Sequence, residues 1–321
     1  MRHRRLGRTA LRISELGLGT MNFGARVDAD GSFSILNQAL EIGIYFVDTA
    51  DQYGGSAGLG ATEAIIGDWL AQDPSRRDRV VLATKVHEPM SDLPNDRGLS
   101  ARHIRRACDA SLRRLRTDHI DLYQMHHIDR AAHWDEIWQA METLIAQGKI
   151  TYVGSSNFSG WHLAQANETA RARSALGIVS EQSLYHLAQR SVELEVIPAC
   201  EAYGIAILPW SPLAGGLLAG ASGGGGGRRS DASSREERSQ RLAHLERWES
   251  FCVELGAPPP VVALAWLLHQ PAVTAPIVGP RTATQLNDAL AATELRLDAD
   301  SLAALDEIFP GPGPAPEAYA W

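Results

Sequence analysis

Residues 43–86 read GIYFVDTADQYGGSAGLGATEAIIGDWLAQDPSRRDRVVLATKV, and this stretch decides the fold. A short apolar run, Ile44–Val47, leads through a loop into a stretch of helical periodicity, Ala61–Leu70, and then into a second apolar run, Val80–Ala83. Parallel strands need a crossover of a dozen or more residues, which is usually a helix. The stretch therefore predicts one βαβ unit.

The same alternation continues along the chain. Short apolar runs predict eight strands, at Leu16–Thr20, Ile44–Val47, Val80–Ala83, Ile120–Gln124, Ile150–Val153, Ile178–Ser180, Ile205–Pro209 and Thr274–Val278. Amphipathic stretches predict eight helices, at Phe33–Ile42, Ala61–Leu70, Ala101–Leu115, Asp135–Ala146, Trp161–Ala172, Val192–Ala202, Val261–His269 and Thr284–Ala292. Strands that alternate with helices predict an α/β protein with a parallel sheet.

Two α/β architectures fit this alternation. A (β/α)8 TIM barrel typically needs about 250 residues, so one barrel with loops and a tail accounts for all 321 residues as a single domain, 1–321. The alternative is an open, doubly wound sheet, but its GxGxxG nucleotide-binding motif is absent near the first strand. The sequence therefore favours the barrel.

The sequence predicts further segments outside the repeating strands and helices of the barrel. RRLGRTALRIS, residues 4–14, predicts an N-terminal hairpin that turns at Gly7-Arg8. After the seventh strand, residues 221–240 are rich in glycine and predict a flexible loop, either a surface insertion or a loop that closes over a bound cofactor. Arg235 to Leu255 predicts an extra helix, and the proline-rich residues 310–321 predict an extended tail.

Composition narrows the class of function. The formal net charge is −8, and no basic stripe is present, so we expect no nucleic-acid partner. Apolar runs such as Val261–Leu268 are far shorter than the roughly 20 residues that cross a bilayer, so we expect no membrane span. The three cysteines, Cys108, Cys200 and Cys252, have neither disulfide nor zinc spacing, which predicts no metal site and a cytoplasmic location. The sequence does not indicate an oligomeric state.

Four polar residues follow successive predicted strands: Asp48, Tyr53, Lys85 and His126. A barrel places the carboxyl ends of its strands around one cleft, so we expect these side chains to meet there. The set suits reduction of a carbonyl, in which a hydride reaches carbon and a proton reaches oxygen. A tyrosine hydroxyl is a weak acid near neutral pH, and the ammonium of Lys85 would stabilise its phenolate while Asp48 holds the lysine in place.

The chain resembles the aldo-keto reductase superfamily from Leu6 to about Leu305. The resemblance is carried by GIYFVDTADQYG with ATEAIIGDWL, VVLATKV, TDHIDLYQMHHID, GKITYVGSSNF, SEQSLYH, PWSPLAGGLL and VGPRTATQL, in the order of the family. It implies an NADP(H)-dependent enzyme with Tyr53 as general acid, Lys85 and Asp48 as the pair that tunes it, and His126 as the group that orients the substrate carbonyl.

The resemblance also implies a cofactor site. Ser156, Asn157 and Gln182 would bind the carboxamide, and Trp210 would stack on the nicotinamide ring. The full implied set of cofactor-binding residues is Gly19, Thr20, Met21, Asp48, Ser156, Asn157, Gln182, Trp210, Ser211, Pro212, Leu213, Gly215, Leu217, Val278, Gly279, Arg281 and Gln285.

At the adenosine end, Arg281 and Gln285 resemble the positions that grip the 2′-phosphate, so the resemblance implies NADPH rather than NADH. The chain departs from the family nearby: many members have Glu-Asn where this chain has Asp288-Ala289. An adenine contact through that asparagine is therefore not expected.

The substrate is expected to be a small aldehyde or ketone, with a sugar or keto-sugar among the candidates because MNFG, QYGG and HHIDR resemble bacterial members. Phe23, Tyr53, His126 and His127 are the predicted substrate-contacting residues. Further pocket walls are expected from Met21, Trp134, the loop Glu88 to Leu99, and the tail residues Tyr319 and Trp321. The alternative function is a cofactor-sensing regulatory subunit similar to the β subunits of potassium channels.

Overall fold

The computed structural model describes residues 1–220 and 242–320. It begins with the predicted hairpin, in which β1 (His3–Arg5) and β2 (Arg12–Ser14) pair antiparallel. Gly7 lies in the turn with φ +55, and a Cβ there would come within 2.5 Å of the Val179 carbonyl oxygen, so the close approach requires glycine. The prediction of an N-terminal hairpin is confirmed.

Eight further strands form one parallel sheet in the order β10-β3-β4-β5-β6-β7-β8-β9. Their bounds are β3 (Gly17–Gly19), β4 (Phe46–Asp48), β5 (Val81–Val86), β6 (Ile120–Met125), β7 (Ile150–Ser156), β8 (Ile178–Gln182), β9 (Ala206–Ile207) and β10 (Ile277–Val278). The sheet closes between β9 and the approach to β10, where Thr274 N–H donates to the Ile207 carbonyl oxygen at 2.8 Å. The predicted (β/α)8 barrel is confirmed.

Helices surround this sheet. Among the described residues the α-helices are Ala29–Glu41, Ala61–Gln72, Ser75–Arg79, Ala101–Leu115, Trp134–Ala146, Gly160–Ala172, Val196–Tyr203, Leu242–Leu255, Pro259–His269, Ala283–Leu290, Ala299–Ile308 and Glu317–Ala320. The helix Ala299–Ile308 is not among the eight predicted helices. It begins after Asp298, whose side chain caps it by accepting a hydrogen bond from Ser301 N–H at 2.8 Å.

Ala101–Leu115 illustrates how the sequence forms these helices. The Ser100 hydroxyl caps the helix by accepting a hydrogen bond from His103 N–H at 3.2 Å. Residues at helical spacing, Ile104, Cys108, Leu112 and Leu115 among them, are buried, so one face packs on the sheet. The helix ends at Arg116, which adopts a left-handed conformation with φ 50.

The apolar core has two parts. A large cluster fills the space between the strands and the helices. A smaller cluster fills the barrel itself, where Phe46, Ala83 and Leu122 meet Leu6 and Ile13 of the hairpin. On β4, β5 and β6 the residue two positions further along lies on the same face and is polar, namely Asp48, Lys85 and Gln124. The apolar amino half of the barrel interior thus supports a polar layer at its carboxyl half.

The helix predicted from Arg235 to Leu255 is confirmed over Leu242–Leu255; its first part and the predicted loop 221–240 lie outside the described residues. The tail has no regular secondary structure over residues 310–313 and then forms the short helix Glu317–Ala320, which differs from the expected extended tail. Arg190 anchors the start of the tail by donating to the Phe309 carbonyl oxygen at 2.8 Å.

No single helix within residues 1–220 and 242–320 is long and apolar enough to cross a bilayer. The helical segments His244–Leu255 and Pro259–His269 pass that test only as a pair, and they are bent by 89° at the break between them.

Candidate active site

Asp48 and Lys85 end neighbouring strands, β4 and β5, and their side chains meet inside the barrel. Lys85 Nζ donates to Asp48 Oδ2 at 2.6 Å and to the Thr49 carbonyl oxygen at 2.9 Å. The lysine side chain is fully buried, and that of Asp48 is nearly so. Burial alone would lower the pKa of Lys85, but the Asp48 carboxylate and the Tyr53 side chain outweigh it, so the pKa is raised. Lys85 is therefore an ammonium at neutral pH.

The second oxygen of Asp48 is also satisfied. Asp48 Oδ1 accepts hydrogen bonds from Gln124 Nε2 and Gln182 Nε2, each at 2.9 Å. Breaking a buried ion pair on one side leaves a charge without compensation, which costs about 3–5 kcal/mol. The hydrogen bonds from β6 and β8 thus hold the carboxylate, and through it the lysine, in one position.

Tyr53 lies on the loop after β4. Lys85 Nζ donates to the Tyr53 hydroxyl oxygen at 3.4 Å and lies 5.0 Å from the centroid of its ring. The loop is held at both sides of the tyrosine, because Tyr53 N–H donates to the Ala50 carbonyl oxygen at 3.2 Å and Thr62 N–H donates to the Tyr53 carbonyl oxygen at 3.2 Å. The Asp48 carboxylate, the Lys85 ammonium and the Tyr53 hydroxyl group are thus connected by successive hydrogen bonds.

His126 completes the group predicted from the sequence. Its ring centroid lies 5.9 Å from that of Tyr53, with the two rings nearly perpendicular. Burial, reinforced by the Lys85 ammonium, lowers the pKa of His126 to about 2. Nδ1 of the ring is buried and has no hydrogen-bond partner among the described residues. His126 is therefore a neutral imidazole at any working pH. The structure brings all four residues together.

The three predicted carboxamide-binding residues, Ser156, Asn157 and Gln182, form one hydrogen-bonded chain with Trp210 beside this group. Ser156 Oγ donates to the Gln182 carbonyl oxygen at 2.8 Å, and Asn157 Nδ2 donates to Ser156 Oγ at 2.9 Å. Trp210 Nε1 donates to Asn157 Oδ1 at 3.0 Å, which fixes the orientation of the indole. Asn157 has φ +60, a conformation that asparagine tolerates better than most residues.

The loop after β9 contains five of the predicted cofactor-binding residues, Ser211, Pro212, Leu213, Gly215 and Leu217. Between Ser211 and Leu217, four residues have positive φ, namely Ser211, Ala214, Gly215 and Gly216. Gly215 and Gly216 carry no side chain, so a ligand can approach the backbone closely there. Leu217 is buried and anchors the loop in the core.

The remaining predicted cofactor residues lie at the ends of β3 and β10. Gly19, Thr20 and Val278 are buried, whereas Met21 and Gly279 are exposed. Asn22 Nδ2 joins the two strand ends by donating to the Gly279 carbonyl oxygen at 2.9 Å. Gln285 lies on the first turn of the helix Ala283–Leu290, and its Oε1 accepts from Arg281 N–H at 2.8 Å.

The expected substrate walls are only partly found. Met21 and His127 are exposed at the barrel mouth. Phe23 is 0% exposed and Trp134 is 7% exposed, and both belong to the apolar core. Tyr319 lies at the surface, where its hydroxyl group donates to Glu195 at 3.2 Å, and Trp321 lies outside the described residues. The structure therefore does not bring Phe23 or Trp134 to the open pocket. Their apolar side chains are more completely removed from water in the core than they would be at the rim of the barrel.

Two buried residues of the site were missed in the sequence. Gln124 lies on β6 two positions before His126, which directly follows the strand, and the period of two was the available signal that both are on the same face. Glu181 lies next to Gln182 on β8 and accepts hydrogen bonds from Ser155 Oγ, from Ser183 Oγ at 2.8 Å and from Phe158 N–H at 3.1 Å. Its position between two polar residues gave no comparable signal.

Glu181 makes the stability of the chain depend on pH. Burial raises its pKa to about 7 from an ordinary 4.5, against the opposing effect of its hydrogen bonds. The folded chain therefore binds this proton more tightly than the unfolded chain, and the free energy of unfolding falls as pH rises from 4.5 to about 7. The fall is on the order of 3 kcal/mol.

We expect Glu181→Gln to remove this part of the pH dependence, since an amide does not titrate. Urea unfolding between pH 4.5 and pH 7 measures it, with the exposed Glu41→Gln as the matched control. An unfolding free energy that depends on pH equally in Glu181→Gln and in the control would contradict the assignment.

Within the described residues, no group of three or more His, Cys, Asp or Glu side chains is arranged to hold a metal ion. The cysteines Cys108, Cys200 and Cys252 are buried free thiols.

The chain is similar to known proteins along almost its whole length. The profile of the Aldo/keto reductase family matches residues 15–309. An uncharacterized oxidoreductase of Bacillus subtilis is 52% identical over 327 residues, with 100% of both chains covered.

More distant relatives carry more specific names. The versiconal hemiacetal acetate reductase of Aspergillus parasiticus is 32% identical, with 96% of this chain and 97% of the relative covered. A putative aryl-alcohol dehydrogenase of Saccharomyces cerevisiae is 30% identical, with 95% and 96% covered. The similarity thus spans the whole barrel and the candidate active site.

Proposed function

This chain belongs to the aldo/keto reductase family and is an oxidoreductase, and we propose that it reduces small aldehydes or ketones to alcohols with NADPH. The observation that carries the proposal is the contact line Asp48, Lys85 and Tyr53, next to a neutral His126. Protonation of a reduced carbonyl oxygen requires a proton donor, a cation that stabilises the conjugate base of that donor, and a neutral group that hydrogen-bonds the substrate.

Tyr53 is the proposed general acid. As negative charge develops on the substrate oxygen, the Tyr53 O–H bond breaks and its proton moves to that oxygen. The phenolate that remains lies next to the Lys85 ammonium, whose Nζ is 3.4 Å from the tyrosine oxygen. Asp48 keeps the lysine charged and in place through their 2.6 Å contact. This arrangement makes the proton available near neutral pH.

His126 is proposed to orient the substrate. Because burial keeps the imidazole neutral, it can donate a hydrogen bond to the carbonyl oxygen without supplying a proton to it. Its position beside the Tyr53 ring would direct the same oxygen toward the tyrosine hydroxyl group.

The residues of the proposed cofactor site fit a nicotinamide dinucleotide. A fixed, partly exposed indole at Trp210 offers a flat apolar face, and the side-chain-free backbone at Gly215 and Gly216 offers room for a pyrophosphate. Ser156, Asn157 and Gln182 would hold the carboxamide. When bound, reduced nicotinamide supplies the hydride that adds to the carbonyl carbon.

We propose NADPH over NADH because of Arg281, whose guanidinium suits a phosphate. Arg281→Ala should weaken NADPH binding at least about tenfold, as expected for the loss of a charge-assisted hydrogen bond of 1.5–3 kcal/mol. NADH binding should change much less. Fluorescence titration with both cofactors measures this. Equal losses for both, or no loss for either, would show that the 2′-phosphate binds elsewhere.

The substrate class is proposed from the names of two relatives. The relatives named for reduction of a hemiacetal acetate and for aryl alcohols support aromatic and oxygen-rich carbonyl compounds, and keto-sugars remain candidates. A panel of aryl aldehydes, aliphatic aldehydes and sugar aldehydes covers these classes.

Consumption of NADPH at 340 nm with this panel tests the proposal. We expect steady turnover of at least one aldehyde, with one alcohol formed per NADPH consumed. Tight NADPH binding without turnover of any member would instead favour a regulatory subunit that senses the cofactor.

A further inference from the structure

A charged side chain lies at the barrel mouth beside the proposed catalytic group and has no part in the mechanism above. Glu88 follows the end of β5, and its Oε1 lies 3.4 Å from His87 Nδ1 and 3.6 Å from His127 Nε2. The His127 ring stacks on that of His126, with centroids 5.6 Å apart. Glu88 is therefore separated from Tyr53 by two stacked imidazoles.

The backbone just before Glu88 has an uncommon conformation. His87 has φ 151, a conformation that residues with a side chain rarely adopt, and such strain concentrates at functional sites. The His87 carbonyl oxygen accepts a hydrogen bond from Gly98 N–H at 2.7 Å, and Leu99 N–H donates to Asp129 Oδ2 at 2.9 Å. The loop that begins at Glu88 is thus held at both ends.

The charges around Glu88 leave it unbalanced. The ammonium of Lys85 is neutralised by Asp48. Burial lowers the pKa of both His126 and His127, so neither imidazole compensates a carboxylate above neutral pH. Burial also raises the pKa of the neighbouring Asp51 well above its ordinary value, which weakens its negative charge relative to an exposed carboxylate. The Glu88 carboxylate, with the His87 ring as its nearest ionisable neighbour, then places negative charge on this wall.

The carboxylate also has a free acceptor. Among the described residues both contacts of Glu88 involve Oε1, and no hydrogen bond is donated to Oε2. The side chain is 22% exposed, so a ligand in the mouth can reach it.

We infer that Glu88 is a specificity-determining residue that selects uncharged, hydroxyl-bearing carbonyl substrates over carboxylates. The inference rests on the proposed function. A hydroxyl group of the substrate would donate to Oε2, whereas a carboxylate would meet a like charge in a partly desolvated site, where such repulsion is stronger than in bulk water.

The test compares two aldehydes of the same shape, 4-(hydroxymethyl)benzaldehyde and 4-carboxybenzaldehyde, at pH 8. For each variant the measured quantity is the ratio of kcat/KM for the carboxylate to kcat/KM for the alcohol. The variants are Glu88→Gln, Glu88→Lys and the control Glu41→Gln, which changes an exposed glutamate at the end of the helix Ala29–Glu41, on the amino side of the barrel.

We expect Glu88→Gln to raise this ratio about five- to tenfold, as for two unit charges roughly 7 Å apart in a partly solvated site. Glu88→Lys should raise it further, and Glu41→Gln should leave it as in the wild type. Added salt should raise the ratio in the wild type and leave it unchanged in Glu88→Gln, since only the former repels the anion.

The possible failures are distinct. If the wild type reduces both aldehydes and neither Glu88 variant changes the ratio, Glu88 does not select substrates and the proposed function still stands. If the wild type reduces no aldehyde of the panel, the proposed function fails and this inference fails with it.

Discussion

Tyr53→Phe is expected to lower kcat for carbonyl reduction by about 100- to 10,000-fold, the usual contribution of a positioned general acid. The variant removes only a hydroxyl group, so the Kd for NADPH should stay nearly unchanged. Steady-state kinetics with the most active aldehyde and a fluorescence titration with NADPH measure both quantities. Tyr203→Phe is the matched control, because the Tyr203 hydroxyl group donates to Glu168 at 3.0 Å and has no other hydrogen bond within residues 1–220 and 242–320.

The outcome that matters is activity with the cofactor bound. Near-native reduction by Tyr53→Phe, saturated with NADPH, would remove the tyrosine from the mechanism. His126 would then be the better candidate for the acid, although its neutral state argues against that role.

Lys85→Met should cause a loss of kcat similar to that of Tyr53→Phe. Without the ammonium 3.4 Å from its oxygen, the phenolate of Tyr53 loses its stabilisation, and the proton is held too tightly near pH 7. The kcat of the wild type should fall at a lower pH than that of Lys85→Met, because a phenol without a neighbouring ammonium keeps its proton to a higher pH.

Stability must be separated from catalysis in this variant. Lys85→Met leaves Asp48 buried without its cation, which costs about 3–5 kcal/mol of folding free energy. The double variant Lys85→Met with Asp48→Asn removes that charge, so it should regain much of the unfolding free energy in urea. It should regain none of the activity. Recovery of both together would mean that Lys85 acts only in folding.

The fold was predictable because a (β/α)8 barrel repeats one pattern. The alternation of apolar runs and amphipathic stretches located every barrel strand, including β9 and β10, which are two residues long. The ends of the strands and helices were harder to predict from the sequence. The predicted strand Ile178–Ser180 continues to Gln182, because its pairing with β7 continues past a register shift near Val153. Pairing between strands, which local sequence does not encode, decides such ends.

The candidate site followed from topology, with exceptions that have physical causes. Strand ends of a barrel converge, so Asp48, Lys85 and His126 could be grouped before their distances were known. Phe23 and Trp134 were assigned to the pocket wall on their position near the mouth, but their apolar surface is buried in the core. Glu181 could not be found, because its role depends on hydrogen bonds from a neighbouring strand and loop.

Transfer of deuterium tests the central claim most directly. The wild type is supplied with NADPH deuterated at either of the two C4 positions, together with the most active aldehyde, and the alcohol is analysed by mass spectrometry. If the chain reduces carbonyls by hydride transfer from a nicotinamide held with one face against Trp210, one form of labelled NADPH gives an alcohol with one deuterium on the carbinol carbon, and the other form gives none. An alcohol labelled by neither form, or equally by both, would contradict the account.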